Sequence, residues 1–141
     1  VLCAGSTGPD YTGGTSDDIG GSLWKINPST FITEAQFQMS QYDHPVKLQS
    51  NSTGTKLFWL QGMDGYNGSI YRMGADDLQL PSTSFNGRNF YGIGIHPASG
   101  DIYGAVAPSF TQNGYVIRFD STAVFQDSLN VGVGPSSFVF N

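Results

Sequence analysis

Aspartates, tyrosines and two histidines are the side chains here that could do chemistry, and their spacing decides which kind. Asp10, Asp17 and Asp18 share one Gly-rich stretch, Ser6 to Gly20. Such carboxylates offer the hard oxygen donors that calcium prefers, which makes these three weak candidates for a metal site. Their spacing fits no EF-hand loop and lacks its closing Glu. His44 follows Asp43, and His96 stands near Asp101. A carboxylate beside an imidazole orients and charges it, as general acid–base work requires. His44 precedes Pro45, however, and reads better as the cap of a turn, while His96 opens the turn His96-Pro97-Ala98-Ser99-Gly100. No Ser-His-Asp arrangement, nucleophile elbow, paired-His metal motif or phosphate loop is visible, so no catalytic residue is assigned.

The candidate ligand-binding residues are Tyr11, Tyr42, Asp43, His44, Asp64, Tyr66, Asn67, Phe85, Arg88, Phe110 and Asn113. They fall in connections between apolar runs: 6–20, 40–44, 61–67, 84–90, 107–113 and 130–134. Aromatic rings mixed with amides and carboxylates on exposed loops suit glycan, peptide or protein recognition. The remaining turns are plain Asn, Pro, Ser, Thr and Gly.

The elements that position these residues are written as a repeat. Gly21-Ser22-Leu23-Trp24-Lys25-Ile26 returns as Gly68-Ser69-Ile70-Tyr71-Arg72-Met73 and again as Gly114-Tyr115-Val116-Ile117-Arg118-Phe119. A period of about 47 residues is the length of one four-stranded propeller blade. Around each copy the expected strands follow one order: inner strand, second strand, the Gly copy, outer strand. Val46 and Leu48 correspond to Ile93 and Ile95, and the expected second strands are Thr55 to Leu60 and Asp101 to Val106. The expected outer strands are Phe31 to Met39, a strand beginning at Leu78-Gln79-Leu80, and Ala123 to Val131. Lys25, Arg72 and Arg118 read as solvated or inter-blade ion pairs, and Trp24 and Tyr71 as inter-blade packing.

The fold predicted is therefore an all-β propeller of four-stranded antiparallel blades, with three blades' worth in this chain. The second to fourth strands of the first blade occupy 1–39, the second blade 44–85, the third 90–131, and a closing inner strand 135–141. Three blades do not close a ring, since propellers have roughly four to eight. Two explanations stand. Either a two-fold homodimer completes a six-bladed ring, each Phe138 strand finishing the partner's first blade, or the chain is a piece of a larger propeller.

Composition agrees with this class. Nineteen Gly and seven Pro suit many turns, and charged residues are only 12% of the chain. A net charge of −5 gives no basic footprint for nucleic acid. No run approaches the roughly 18 apolar residues of a membrane span. Cys3 is the single cysteine and is expected to pack as a small apolar residue. The opening Val suits a mature product, a trimmed one, or a piece of a longer chain, with any signal peptide or lipid anchor removed.

Two stretches carry a family resemblance. Tyr91-Gly92-Ile93-Gly94-Ile95-His96-Pro97-Ala98-Ser99-Gly100-Asp101-Ile102-Tyr103 and Gln112-Asn113-Gly114-Tyr115-Val116-Ile117-Arg118-Phe119-Asp120 resemble the YncE-like, YVTN-type surface-layer propellers. They are especially similar to a secreted or lipid-anchored group from Bacteroidetes. The Val131-Gly132-Val133-Gly134-Pro135 stretch is similar to the blade junctions of that group, and the likeness spans residues 21–141. It implies an extracellular, cell-surface or periplasmic binding module with no cofactor other than a possible calcium. The alternative is a lactonase-like or lyase-like propeller enzyme with a site at the channel mouth, for which two histidines are few.

Overall fold

The computed structural model describes residues 1–141, and all its regular structure is β. Eleven strands run in chain order: β1 (Leu2–Cys3), β2 (Ser22–Ile26), β3 (Thr33–Gln38), β4 (His44–Ser50), β5 (Lys56–Gly62), β6 (Gly68–Gly74), β7 (Asn86–Phe90), β8 (Gly92–Ile95), β9 (Ile102–Val106), β10 (Asn113–Phe119) and β11 (Phe125–Val133). They make three antiparallel sheets of consecutive strands: β1-β2-β3, β4-β5-β6-β7 and β8-β9-β10-β11. The three Gly copies fall at equivalent places, with Gly21 just before β2, Gly68 opening β6 and Gly114 second in β10. No helix of the structure is long and apolar enough to cross a membrane.

Each sheet turns at one end on a side-chain acceptor. Asn27 Oδ1 accepts from the Ser29 and Thr30 amides, and Asn51 Oδ1 accepts from Lys56. His96 Nδ1 accepts from Ala98 and Ser99, and Asp120 Oδ1 from Thr122 and Val124. A short polar side chain that mimics a backbone turn is why these residues reverse the strands. His96 is thereby a turn-former, and its remaining ring face rests on Phe140.

Two apolar clusters hold the sheets face to face. Between the second and third lie Phe58, Leu60, Ile70, Phe90, Ile93, Ile95, Ile102, Ile117 and Phe119. Between the first and second lie Leu23, Met39, Trp59 and Met73. Strand alternation explains the split, since residues two apart face one neighbour and those between face the other. Trp59 and Tyr71 are register partners within the second sheet and stack at 5.9 Å, while Trp59 Nε1 donates to Gln61. Tyr71 thus packs first inside its own sheet and only at its rim on the first-to-second cluster.

Segment 135–141 is extended but joins no ladder and takes part in no backbone–backbone hydrogen bond of its own. It lies on the third sheet, with Phe138 and Phe140 against Tyr103 and with Val139 fully exposed. A side chain at Gly21 would collide with the Pro45 ring, and one at Gly114 would come within 2.6 Å of the Pro135 ring. Pro135 therefore sits on the third sheet as Pro45 of β4 sits beside β2 of the first.

Several expectations need correction. The outer strand of the second sheet is β7, Asn86–Phe90, and not one beginning at Leu78, which is exposed. Residues 75–85 make a long excursion instead, because Asp77 caps the end of β6 by accepting from the Gly74 amide. The first outer strand starts at Thr33 rather than Phe31, whose positive φ of 58° places it in the turn. The third runs on to Val133. Cys3 is exposed rather than packed. Among the repeated cations, Lys25 bridges to Asp76 across the first two sheets, whereas Arg118 pairs with Asp101 inside the third. Arg72 forms no ion pair but lies 3.9 Å over the Phe85 ring.

Candidate ligand-binding face

The connections β1–β2, β5–β6 and β9–β10 leave the sheets at one common end, together with the links from β3 to β4 and from β7 to β8. Each of the three long connections carries an exposed aromatic ring: Tyr11 at 83%, Tyr66 at 66% and Phe110 at 69%. Tyr11 holds φ at 58°, a left-handed conformation that costs a bulky residue energy. The neighbouring stretch explains how it is held. Asp10 accepts from the Thr12 amide, and Gly8 at φ 75° precedes it.

The loop carrying Tyr11 is not the free, structureless span its composition implies. Ser6 pairs with Ile19 as an isolated antiparallel bridge, and Gln41 Nε2 holds the Ser16 carbonyl. Its anchor is Asp18, buried with His44. Asp18 Oδ2 lies 3.1 Å from His44 Nε2 and 2.7 Å from the Gly14 amide, and Thr15 Oγ1 donates to Oδ1. Burial alone would raise the Asp18 carboxyl pKa, but the hydrogen bonds from Gly14, His44 and Thr15 outweigh it and hold it below the usual carboxylate value. His44 Nδ1 faces the Ala4 carbonyl at 3.1 Å, which can only accept. With the Asp18 carboxylate at Nε2 as well, both ring nitrogens of His44 are engaged.

This pairing replaces the expected one between His44 and Asp43. Asp43 uses its backbone instead, its carbonyl accepting from Gly21 and its amide donating to Ser40, and its side chain faces a separate hollow beside Trp59. Both nitrogens of His44 are occupied, so neither is free to act as a base. The three aspartates proposed for calcium do not converge either. Asp10 caps Thr12, Asp17 shares the one Thr15 hydroxyl proton with Asp18, and Asp18 also holds His44; no group of three metal-ligating side chains forms.

Tyr11, His44, Asp64 and Tyr66 come together around a cleft of about 310 Å³, with the backbone of Gly5 to Gly8 as its other wall. Asp64 forms an Asx turn. Burial would raise its carboxyl, but the amides of Asn67 and Tyr66 and the Asn67 side chain keep it low. Asn67 is thus turned towards Asp64. A second hollow of about 330 Å³ continues from Gly65 and Tyr66 to Val46, Lys47 and Tyr91. Tyr91 meets Phe110 edge-on at 5.5 Å.

The other candidates sit apart. Tyr42 is in the β3–β4 turn and 42% exposed. Phe85 is half-buried beneath Arg72 and packs on Phe58, so it supports the core and offers no free ring. Arg88 lies on the β7 edge strand, exposed, rather than in a loop. Asn113 opens β10 opposite Val133.

Lys47 and Tyr91 are the face residues that the loop-based reading misses. Lys47 occupies a β-bulge in β4 at φ 60°, between the pairs of Val46 and Gln49. A bulge re-aims the side chain it carries. The visible signal is a Lys between the apolar residues Val46 and Leu48. Tyr91 is the one-residue link between β7 and β8, hidden because the outer strand was expected earlier. No protein-family model matches the chain, and no curated protein does.

Proposed function

We propose that the three sheets are consecutive blades of a β-propeller and that the chain is a non-catalytic binding module. Its ligand, a glycan, peptide or protein, is taken at the loop end, at a cell surface or in the periplasm. The observation that carries the reading is the same feature repeated at the same end of all three sheets: an exposed aromatic ring in each long connection, one of them held at a costly backbone angle. Exposed aromatic side chains concentrated on one rim are what recognition surfaces are enriched in. The opposite end has acceptor-capped turns, and its exposed rings, Phe31 and Phe125, occur at the first and third sheets but not at the second. Segment 135–141, seated on the third sheet as β4 is on the first, supports the propeller reading as the inner strand of a further blade.

The test is the triple replacement of Tyr11, Tyr66 and Phe110 by Ala. All three rings are exposed, so the circular dichroism spectrum and melting temperature should stay close to the parent's. Capture on mixed glycan and peptide arrays should be lost. Full retention of capture by the triple variant sinks the assignment of this face.

A further inference from the structure

The aromatic rings at the loop end form a continuous row, and that row narrows the ligand class. Tyr11 and Tyr66 line one cleft, Tyr66 and Tyr91 line the next, and Tyr91 touches Phe110. The two hollows meet at Gly65 and Tyr66, which line both. We propose that this row binds a neutral, linear oligosaccharide laid across the rims of all three sheets, with sugars stacking on the ring faces left open. The inference rests on the reading of the loop end as the binding face.

Three features favour this ligand. A pyranose presents an apolar face of C–H groups between polar edges, and a tyrosine offers a flat apolar body with a polar tip. Polar groups flank the row: the Ser6 to Gly8 backbone, Asp64 and Lys47, which supply acceptors and donors for hydroxyls. The charge is balanced locally. Asp64, held ionised by its turn, and Lys47 lie on either side of Tyr66, so neither an anionic nor a cationic polymer is matched by the cleft. The chain's net charge of −5 disfavours acidic glycans further.

A proline-rich peptide also docks on aromatic grooves, and the experiment separates the two. The 141-residue chain is titrated calorimetrically with neutral hexasaccharides of β-1,4-glucose, α-1,4-glucose, β-1,4-mannose and β-1,4-xylose, with the matching disaccharides, and with a proline-rich decapeptide. At least one hexasaccharide should bind more tightly than its disaccharide. Tyr66→Ala, at the junction of the two hollows, should weaken that binding about tenfold or more, and Tyr11→Ala should weaken it too. Phe31→Ala, equally exposed at the opposite end, should leave it unchanged. Absence of binding by every hexasaccharide, or binding indifferent to Tyr66→Ala, overturns the proposal. If the decapeptide binds in a Tyr66-dependent way instead, the sugar is wrong and the face stands. If no ligand responds to Tyr66→Ala, both fall.

Discussion

His44 shows how a residue with catalytic credentials can be wholly structural. Its imidazole ring is clamped between the Ala4 carbonyl and the Asp18 carboxylate, and the clamp ties the Tyr11 loop to the second sheet. The acid behaviour follows from Asp18, whose folded pKa is depressed below the ordinary 3.8. A depressed carboxyl stabilises the fold fully above its unfolded value and loses that contribution as pH falls through it. Asp64 and Asp120 are lowered in the same sense, Asp120 by the Thr122 side chain and by the Thr122 and Val124 amides. The melting temperature should therefore be insensitive to these groups above about pH 5 and decline as pH drops through 4 towards 3. Asp18→Asn should make that decline shallower and lower the plateau. It should also speed amide exchange at Gly14, whose N–H loses its charged acceptor. An unchanged acid slope would show that Asp18 does not anchor the loop.

At the level of the elements, the second sheet is the keystone, because both apolar clusters draw on it. Trp59, fully buried at the first-to-second junction, and Phe90, fully buried at the second-to-third, are its two plugs. Trp59→Ala should cost about 3–5 kcal/mol in a urea titration, while Phe31→Ala in an exposed turn should stay within about 0.5 kcal/mol. Equal costs would mean that the sheets are not held by these clusters. The strands around the Gly copies were legible because alternation and a basic residue after an aromatic or apolar one marked each copy. The outer strand of the second sheet was not. Leu78-Gln79-Leu80 carries the apolar pattern, yet the Asp77 cap and the long excursion move the pairing to Asn86–Phe90, a polar run with no strand signature. The candidate site was half legible. Tyr11, Asp64 and Tyr66 are loop residues and were found as such, whereas Lys47 needed its bulge and Tyr91 needed the true end of β7. Asp18 and His44 stand 26 residues apart and share no local pattern, so only the fold pairs them.

For the whole molecule, the three sheets differ in one respect that the propeller reading must account for. The first has three strands where the others have four, so β1 is an open edge where β5 and β9 each pair with a further strand, β4 and β8. In the neighbouring sheet Leu57 is half-buried, while its register counterpart Ile102 is 1% exposed, with β8 packed on β4. Segment 135–141 is the complementary feature, an extended strand without a ladder partner. Repeat equivalence sets the register if the two were to pair between copies. Leu2 and Leu60 both face an apolar residue of the Gly copy, Leu23 and Ile70, and Leu60 faces Val46 of the inner strand. Pro135 would then stand opposite Cys3 and Ser136 opposite Leu2, a ladder of only a few pairs. An association so short should be concentration-dependent. Light scattering on the 141-residue chain should give a mass rising from 15.1 kDa towards twice that value as concentration increases, and removal of residues 135–141 should hold it at the lower figure. A mass fixed at 15.1 kDa at every concentration would rule out pairing between copies.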